Sequence, residues 1–384
     1  MASSHTKEGL EHKFINCMLL SGVGDALGYK DAEFEFCRSG RAIQEAVTAL
    51  GGLSAMTPSA SKMTVSDDTV MHLATAEALV SDYTTGEELY GNLAKSYKEC
   101  MKDMSGRAPG NTCKATTIML KPGIENGYMI PFNPRGGGCG AAMRAVPIGL
   151  LYHRPDELNN LVRVGIESGR MTHNHPTGFL GSMTVALFVS YAIQGKDVRE
   201  WGEGLLHTLD IAKQYCEEQK RDWELIKENW SYFEDSWKKY LTKIGFLSST
   251  EGATQSYDFS LDVNATDYDK FVKSVSHNGT GGSSGHDAPM IAYDSIMRIY
   301  IMPEPVEGPY SRWERLCRYG MFHGGDSDST GIIAGACYGA MYGREGVPLN
   351  NYIQLEYRDR LERLGKLLYS KSQKVIKEVT KSSI

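Results

Sequence analysis

Two short stretches concentrate the side-chain oxygens that could do chemistry. The first reads Ser66-Asp67-Asp68-Thr69 and the second Gly324-Gly325-Asp326-Ser327-Asp328-Ser329-Thr330; each stands at the head of a run with helical apolar spacing. Taken singly, each has an ordinary structural reading. Serine caps a helix, and aspartate in a first turn complements the helix dipole by about 0.3–1 kcal/mol. Taken together they imply more. If the stretches meet, the carboxylates of Asp67, Asp68, Asp326 and Asp328 share one small volume. Two unit charges about 4 Å apart repel by about 4 kcal/mol at an effective dielectric near 20, more than helix capping offsets. A bound cation offsets it. The donors are hard oxygens, which suits Mg²⁺, Mn²⁺ or Ca²⁺ and not zinc or copper. The charge on these carboxylates matches a pair of Mg²⁺ ions.

Other motifs compete for the same residues. The run from Asp326 begins like an EF-hand loop with Gly331 in place, but Cys337 stands where the closing glutamate is required. Asp326-Ser327-Asp328-Ser329-Thr330 also has the DxDxT letters of a phosphatase family whose motif ends an apolar strand. Met321-Phe322-His323-Gly324-Gly325 is no strand.

Two glycine-rich segments run into helical patterns: Arg135-Gly136-Gly137-Gly138-Cys139-Gly140-Ala141 and Gly279-Thr280-Gly281-Gly282-Ser283-Ser284-Gly285-His286-Asp287. Bare backbone before a helix start cradles anions, although neither segment carries the GK[ST] of a Walker loop. Singly, a plain turn explains each as well. Two of them beside a metal site suit a ligand bearing a diphosphate. Ser284, His286 and Asp287 include the letters of a hydrolase triad, but adjacency in sequence does not supply its geometry. His173 and His175 are two residues apart and point to different faces of a helix, so joint chelation is not expected. His173 is left open between a pocket residue and a core histidine.

The elements that must position these groups are helices. Apolar stripes begin at Phe14, after Ser66, at Leu158, after Pro176 and from Trp223 to Leu241; further ones cover residues 289–302, 330–343 and 361–368. Alternating strand patterns are nearly absent, which predicts an all-α fold, a compact helical bundle in a single domain. Gly331, Gly335 and Gly339 recur every four residues, which reads as close packing of two helices. Residues 247–269 read as a long surface loop. Residues 10–370 are expected to form the domain, with 1–9 and 371–384 as flexible ends and the lysines at 371, 374, 377 and 381 as a solvated face.

The chain has 384 residues with a formal net charge of −6, which does not suit a nucleic-acid partner. The hydrophobic share, 41%, supports a sizeable core. No secretory pattern opens the chain and no run of about 18 apolar residues is evident, so no membrane partner is expected. The 8 cysteines are scattered, with no CxxC pair, which reads as reduced thiols in a cytoplasmic protein.

These motifs together resemble the ADP-ribosylhydrolase family, most nearly its ADP-ribosylarginine hydrolase branch. The resemblance covers about residues 14–369. It rests on Gly24-Asp25-Ala26-Leu27-Gly28-Tyr29, on Val65-Ser66-Asp67-Asp68-Thr69-Val70-Met71-His72, on residues 137–145, 169–178, 281–294 and 322–330. It implies an orthogonal helical bundle with two Mg²⁺ ions, Mn²⁺ as the alternative, held by Ser66, Asp67, Asp68, Asp326, Asp328 and Ser329. It places Glu35 on a loop that approaches the metals. Gly137, Gly138, Cys139 and Gly140 would face the diphosphate of ADP-ribose, with Ser283, Ser284 and Gly285 around the distal ribose or adenosine and His173 lining the pocket.

The implied reaction is hydrolysis of the N-glycosidic bond between ADP-ribose and a protein arginine, with ADP-ribosylated proteins as partners and the chain acting as a monomer. Asp67, Asp68, Asp328 and Glu35 are the candidate catalytic groups, and the choice of general base among them stays open. The alternatives are a non-catalytic ADP-ribose-binding relative and a hydrolase of serine-linked or ester-linked ADP-ribose. Arginine-specific members carry an aromatic where Thr280 stands, and residues 56–64 also depart from the pattern; both bear on substrate choice.

Overall fold

Glycines in two distant helices set how the molecule is held together. In the computed structural model, which describes residues 7–247, 258–259, 262–302 and 310–374, the N-terminal helix Lys7–Tyr29 lies against the helix Ser327–Tyr342. A Cβ at Gly335 would stand 2.2 Å from the Leu20 carbonyl oxygen, and one at Gly339 would stand 2.3 Å from that of Asn16. Reciprocally, a Cβ at Gly24 would meet the Gly331 carbonyl at 2.0 Å. The two backbones therefore touch, as the four-residue glycine repeat predicts. The contact brings Asp25 and Glu35, from the start of the chain, beside Asp326 and Asp328.

The described residues are helical with only isolated β-bridges, and the fold is all-α in a single domain. Pro176–Gln194 runs through its centre and is buried from Pro176 to Ser190. This helix is long and apolar enough to cross a membrane by composition alone, which corrects the expectation that no such run exists. Its apolar window is wholly enclosed by other helices, and Ser182 and Thr184 satisfy their hydroxyls on the Gly165 and Leu180 carbonyls. Phe188 on this helix packs its ring against Trp201, Trp237 and Tyr293 at centroid distances of 5.5, 5.6 and 5.3 Å.

Several boundaries differ from the sequence reading. The single aromatic helix expected from Trp223 to Leu241 is two, Trp223–Glu228 and Ser231–Lys243, separated at Asn229, whose side chain turns back to the Leu225 carbonyl. The expected loop at 247–269 contains the start of helix Ala265–Val275. Asn264 caps that helix through the Asp267 amide, so its polarity belongs to a helix start; residues 248–257 and 260–261 lie outside the described residues. The domain limits at 10 and 370 fall inside helices, because the first begins at Lys7 and the last runs Arg358–Ser372. Lys371 points its ammonium at the Ser81 carbonyl and over the Tyr83 ring, so it is not part of a solvated face. Residues 377 and 381 lie outside the described residues.

Candidate active site

Ser66 ends an extended segment and caps helix Asp67–Val80, its hydroxyl accepting the Asp68 amide at 3.1 Å. The cap is itself gripped by Asp25, whose carboxylate accepts the Ser66 amide at 3.1 Å, the Thr69 amide at 3.0 Å and the Thr69 hydroxyl. Asp67 and Asp68 occupy the first turn, buried and aimed at the second acidic stretch. There Ser329 donates its hydroxyl to Asp68 Oδ2 at 2.9 Å. Asp326 Oδ2 accepts from the Cys139 thiol at 3.4 Å, and the Ser329 hydroxyl lies 3.5 Å from the same sulfur. The two acidic stretches therefore meet, with Cys139 of the first glycine loop beside them.

Backbone bridges stitch the surrounding segments together. Phe36 donates its amide to the Gly325 carbonyl at 2.7 Å and Gly325 donates to Cys37 at 2.8 Å, which fixes Glu35 next to Asp326. Asp326 in turn donates its amide to Gly281 at 2.9 Å. The two glycine loops pair with each other: Cys139 donates to Ser283 at 3.1 Å and Gly285 to Gly137 at 2.9 Å. Gly325 sits at φ +151, and a Cβ there would stand 2.3 Å from the Gly281 oxygen, so this junction requires glycine.

A cavity of about 380 Å³ opens at this junction, walled by Glu35, Asp67, Asp68, Asp326 and Ser329 on one side and Gly138, Cys139, Gly140 and His173 on the other. An adjoining recess of about 500 Å³ shares Gly138 and Ser283 with it and adds Gly137, Ser284, His175, Tyr232 and His277. The expected ligand-facing residues thus divide between two connected spaces. Ser66 and Asp328 are buried behind the cavity and are not on its lining; Asp328 accepts the Ser329 amide at 3.0 Å. Gly285 lines neither space, because it is packed against Thr177, where a Cβ would meet the carbonyl oxygen at 2.1 Å. The Cys139 amide, committed to Ser283, is not free for a diphosphate. Thr280 lies outside the inner cavity, on a third recess described below.

The electrostatics are those of crowded carboxylates. Burial, reinforced by Asp25 and Asp326, pushes Asp67 up to about 7. Burial, with Asp326, Asp67 and Asp25 nearby, pushes Glu35 up to about 8. Asp68, Asp326 and Asp328 are likewise raised, first by desolvation. No lysine or arginine stands among the groups shifting them, and none lines the cavity. Among the described residues no three His, Cys, Asp or Glu side chains are gathered closely enough to enclose one ion as they stand. The donor set, buried anionic oxygens with a hydroxyl between them and no protein cation to neutralise them, fits a hard divalent cation. His173 is held neutral, its pKa depressed to about 3 by burial and by Arg144, and it shares a hydrogen bond of 2.8 Å with the Thr172 hydroxyl.

The triad letters do not form a triad. Ser284 Oγ lies 3.0 Å from His286 Nδ1, but Asp287 accepts the Gly282, Ser284 and His277 amides, and His286 Nε2 faces the Val275 carbonyl. Three site-building residues escaped the sequence reading of roles. Asp25 holds the first acidic turn, Asp287 holds the second glycine loop, and Arg144 holds the first, donating to the Gly140 and Ser168 carbonyls at 2.8 Å over the Tyr97 ring. A lone acid inside the apolar stripe of the first helix was the available signal for Asp25.

An all-helical domain with a carboxylate-walled cavity between two glycine loops defines a class, and the chain belongs to the ADP-ribosylglycohydrolase family, whose model matches residues 6–377. It is 38% identical over 368 residues to the ADP-ribosylhydrolase ARH1 of Dictyostelium discoideum, covering 91% of each chain. It is 24% identical over 313 residues to the ADP-ribosylhydrolase ARH3 of Danio rerio, covering 79% of this chain and 76% of that protein. The solved structure of an ADP-ribosylglycohydrolase-related protein complex matches the fold with a TM-score of 0.60 at 19% identity, over 95% of this chain and 99% of the other.

Proposed function

We propose that the protein hydrolyses the N-glycosidic bond between ADP-ribose and the guanidinium of a protein arginine, reversing mono-ADP-ribosylation, with a pair of Mg²⁺ ions (Mn²⁺ as substitute) at the acidic junction. The observation that carries this reading is the junction itself, where Ser329 of one acidic stretch donates to Asp68 of the other against the wall formed by the first glycine loop. Asp67, Asp68, Asp326 and Asp328 would hold the ions, with the Ser329 hydroxyl. Ser66 already accepts the Asp68 amide and has one lone pair left for such a role. When bound, divalent cations supply Lewis acidity and a water of lowered pKa.

The chain's own residues supply the rest. Glu35 stands at the cavity rim beside Asp67 and Asp326, a position from which its carboxylate could take a proton from the attacking water. Gly138 and Gly140 form the cavity wall opposite the carboxylates, where the diphosphate would lie, and the neutral His173 packs behind them without adding charge. A cavity lined by carboxylates and free of lysine and arginine favours a cationic leaving group such as guanidinium over a neutral serine oxygen. Retention of all the metal-site aspartates disfavours a non-catalytic role. The free state of all the cysteines favours a reducing, cytoplasmic compartment.

The test measures release of ADP-ribose from arginine-linked and serine-linked peptides side by side, with Mg²⁺ and with chelator. Faster metal-dependent release from arginine supports the reading. A higher serine rate overturns the linkage, and binding of ADP-ribose without turnover on either peptide overturns the enzyme.

A further inference from the structure

Beyond the Glu35 rim lies a third recess, of about 680 Å³, whose character is opposite to that of the cavity. Phe36 lines both, is 52% exposed and forms the ridge between them. Arg38, Arg41, Lys270 and Lys273 surround the recess, and the one carboxylate on its lining is Asp269. That carboxylate is committed to the backbone, accepting the Gly40 and Gly324 amides at 2.8 Å each. Arg41 and Lys270 have outward partners, Glu45 and Asp267, in exposed pairs that solvent screens. Arg38 and Lys273 have no carboxylate within ion-pair distance among the described residues. In a chain with a formal charge of −6, this is a local cationic shelf at the mouth of an anionic cavity.

We propose that this shelf receives an acidic stretch of the modified protein, so that the enzyme reads the charge of the polypeptide flanking the ADP-ribosylated side chain. The inference rests on the proposed function. A polypeptide attached at the distal ribose would leave the cavity past its metal end, where Phe36, next to Glu35, lines both the cavity and the shelf. Rim charges of this kind act mainly on encounter and salt dependence.

The experiment compares KM for three substrates: free ADP-ribosylarginine, an ADP-ribosylated peptide with glutamates flanking the arginine, and the same peptide with lysines. The wild type is expected to show a KM for the acidic peptide about tenfold below that for the basic one, an advantage lost as NaCl rises from about 0.05 to 0.3 M. The Arg38→Glu, Lys270→Glu, Lys273→Glu variant should raise KM for the acidic peptide about tenfold. It should leave the free substrate within about twofold. Single reversals at each position give the same reading should the triple variant fold poorly.

Equal KM for both peptides in the wild type at low salt overturns the proposal, as does a variant that loses free substrate and peptide alike. Competition by a mixed-sequence oligonucleotide stronger than by the unmodified acidic peptide would also overturn it, by making nucleic acid the occupant. Turnover of free ADP-ribosylarginine by the wild type reports on the proposed function separately, so the two readings fail independently.

Discussion

The hydroxyl of Ser329 donates to Asp68 Oδ2 at 2.9 Å, across 261 residues of sequence. Because Ser329 follows Asp328 and Asp68 follows Asp67, this one contact ties the two acidic stretches to each other. It exists because glycines let helix Ser327–Tyr342 touch the N-terminal helix, and because Asp25 on that helix holds the turn that carries Asp67 and Asp68.

Replacing Asp68 should separate function from stability. Asp68→Asn keeps an acceptor for Ser329 but removes a buried charge. ADP-ribose release is expected to fall by about a thousandfold, roughly 4 kcal/mol in the barrier. In chelator at pH 8 the same variant should be more stable than the wild type by on the order of 1 kcal/mol, and so melt higher, because a repulsive neighbour is gone. Scanning calorimetry alongside the activity assay checks both signs; a variant that is both inactive and less stable in chelator would count against carboxylate crowding.

The pH dependence of stability follows from the same crowding. Asp25, Asp67 and Glu35 are raised to about 6, 7 and 8, above unfolded values of about 3.9 for Asp and 4.3 for Glu. The folded chain therefore holds more protons than the unfolded one between these limits. The contribution is full below about pH 4 and is lost as pH rises through 6 to 8. Glu167, held low by Arg170 and Arg221, acts oppositely in acid, and the buried His72, His173, His286 and His323, held neutral, act oppositely up to about pH 7. In chelator the melting temperature should therefore drop from about pH 7 to about pH 9, above the histidine range, and Mg²⁺ should flatten that slope; a rise over this interval would contradict the electrostatic account.

Gly140 is expected to tolerate no side chain. A Cβ there would stand 2.7 Å from His173 Cε1 and 2.9 Å from Cys113 Sγ, both enclosed. Gly140→Ala should cost about 1–3 kcal/mol as overpacking does. It should also raise KM for ADP-ribosylated substrate, since the displaced loop forms the cavity wall. Denaturant melts and steady-state kinetics on one preparation test this, and unchanged KM would show that the loop does not contact the ligand.

Arg107 is a structural clamp. It donates to the Val65 carbonyl at 2.8 Å and pairs with Glu356 at 2.7 Å, while its own carbonyl accepts the Asp67 amide at 3.1 Å. Arg107→Ala leaves Glu356 largely buried without its partner, at a cost of about 3–5 kcal/mol. Arg107→Ala with Glu356→Gln should recover part of that loss. Chemical denaturation of the three chains decides it.

What was legible beforehand follows from where each signal lives. The helical class, the Ser66 cap and the glycine packing are local or periodic, and a single sequence carries them. The meeting of residues 67–68 with 326–329 is a long-range event that charge repulsion only suggested. The start of helix Ala265–Val275 was hidden because Asp267, Asp269 and Lys270 put charges among its few apolar anchors. Asp25, Arg144 and Asp287 act on backbone groups of distant loops, and no spacing rule announces such partners. The cationic shelf assembles from residues 38–41 and 270–273, which look like ordinary surface charges in either segment alone.

The most direct test of the central claim is equilibrium binding of Mn²⁺, followed by its paramagnetic resonance signal, to the wild type and to Asp68→Asn and Asp328→Asn. Shared coordination predicts that either substitution, on either stretch, weakens binding of the ion pair by about tenfold or more. Wild-type affinity in both variants would show that the two stretches touch without holding a cation between them.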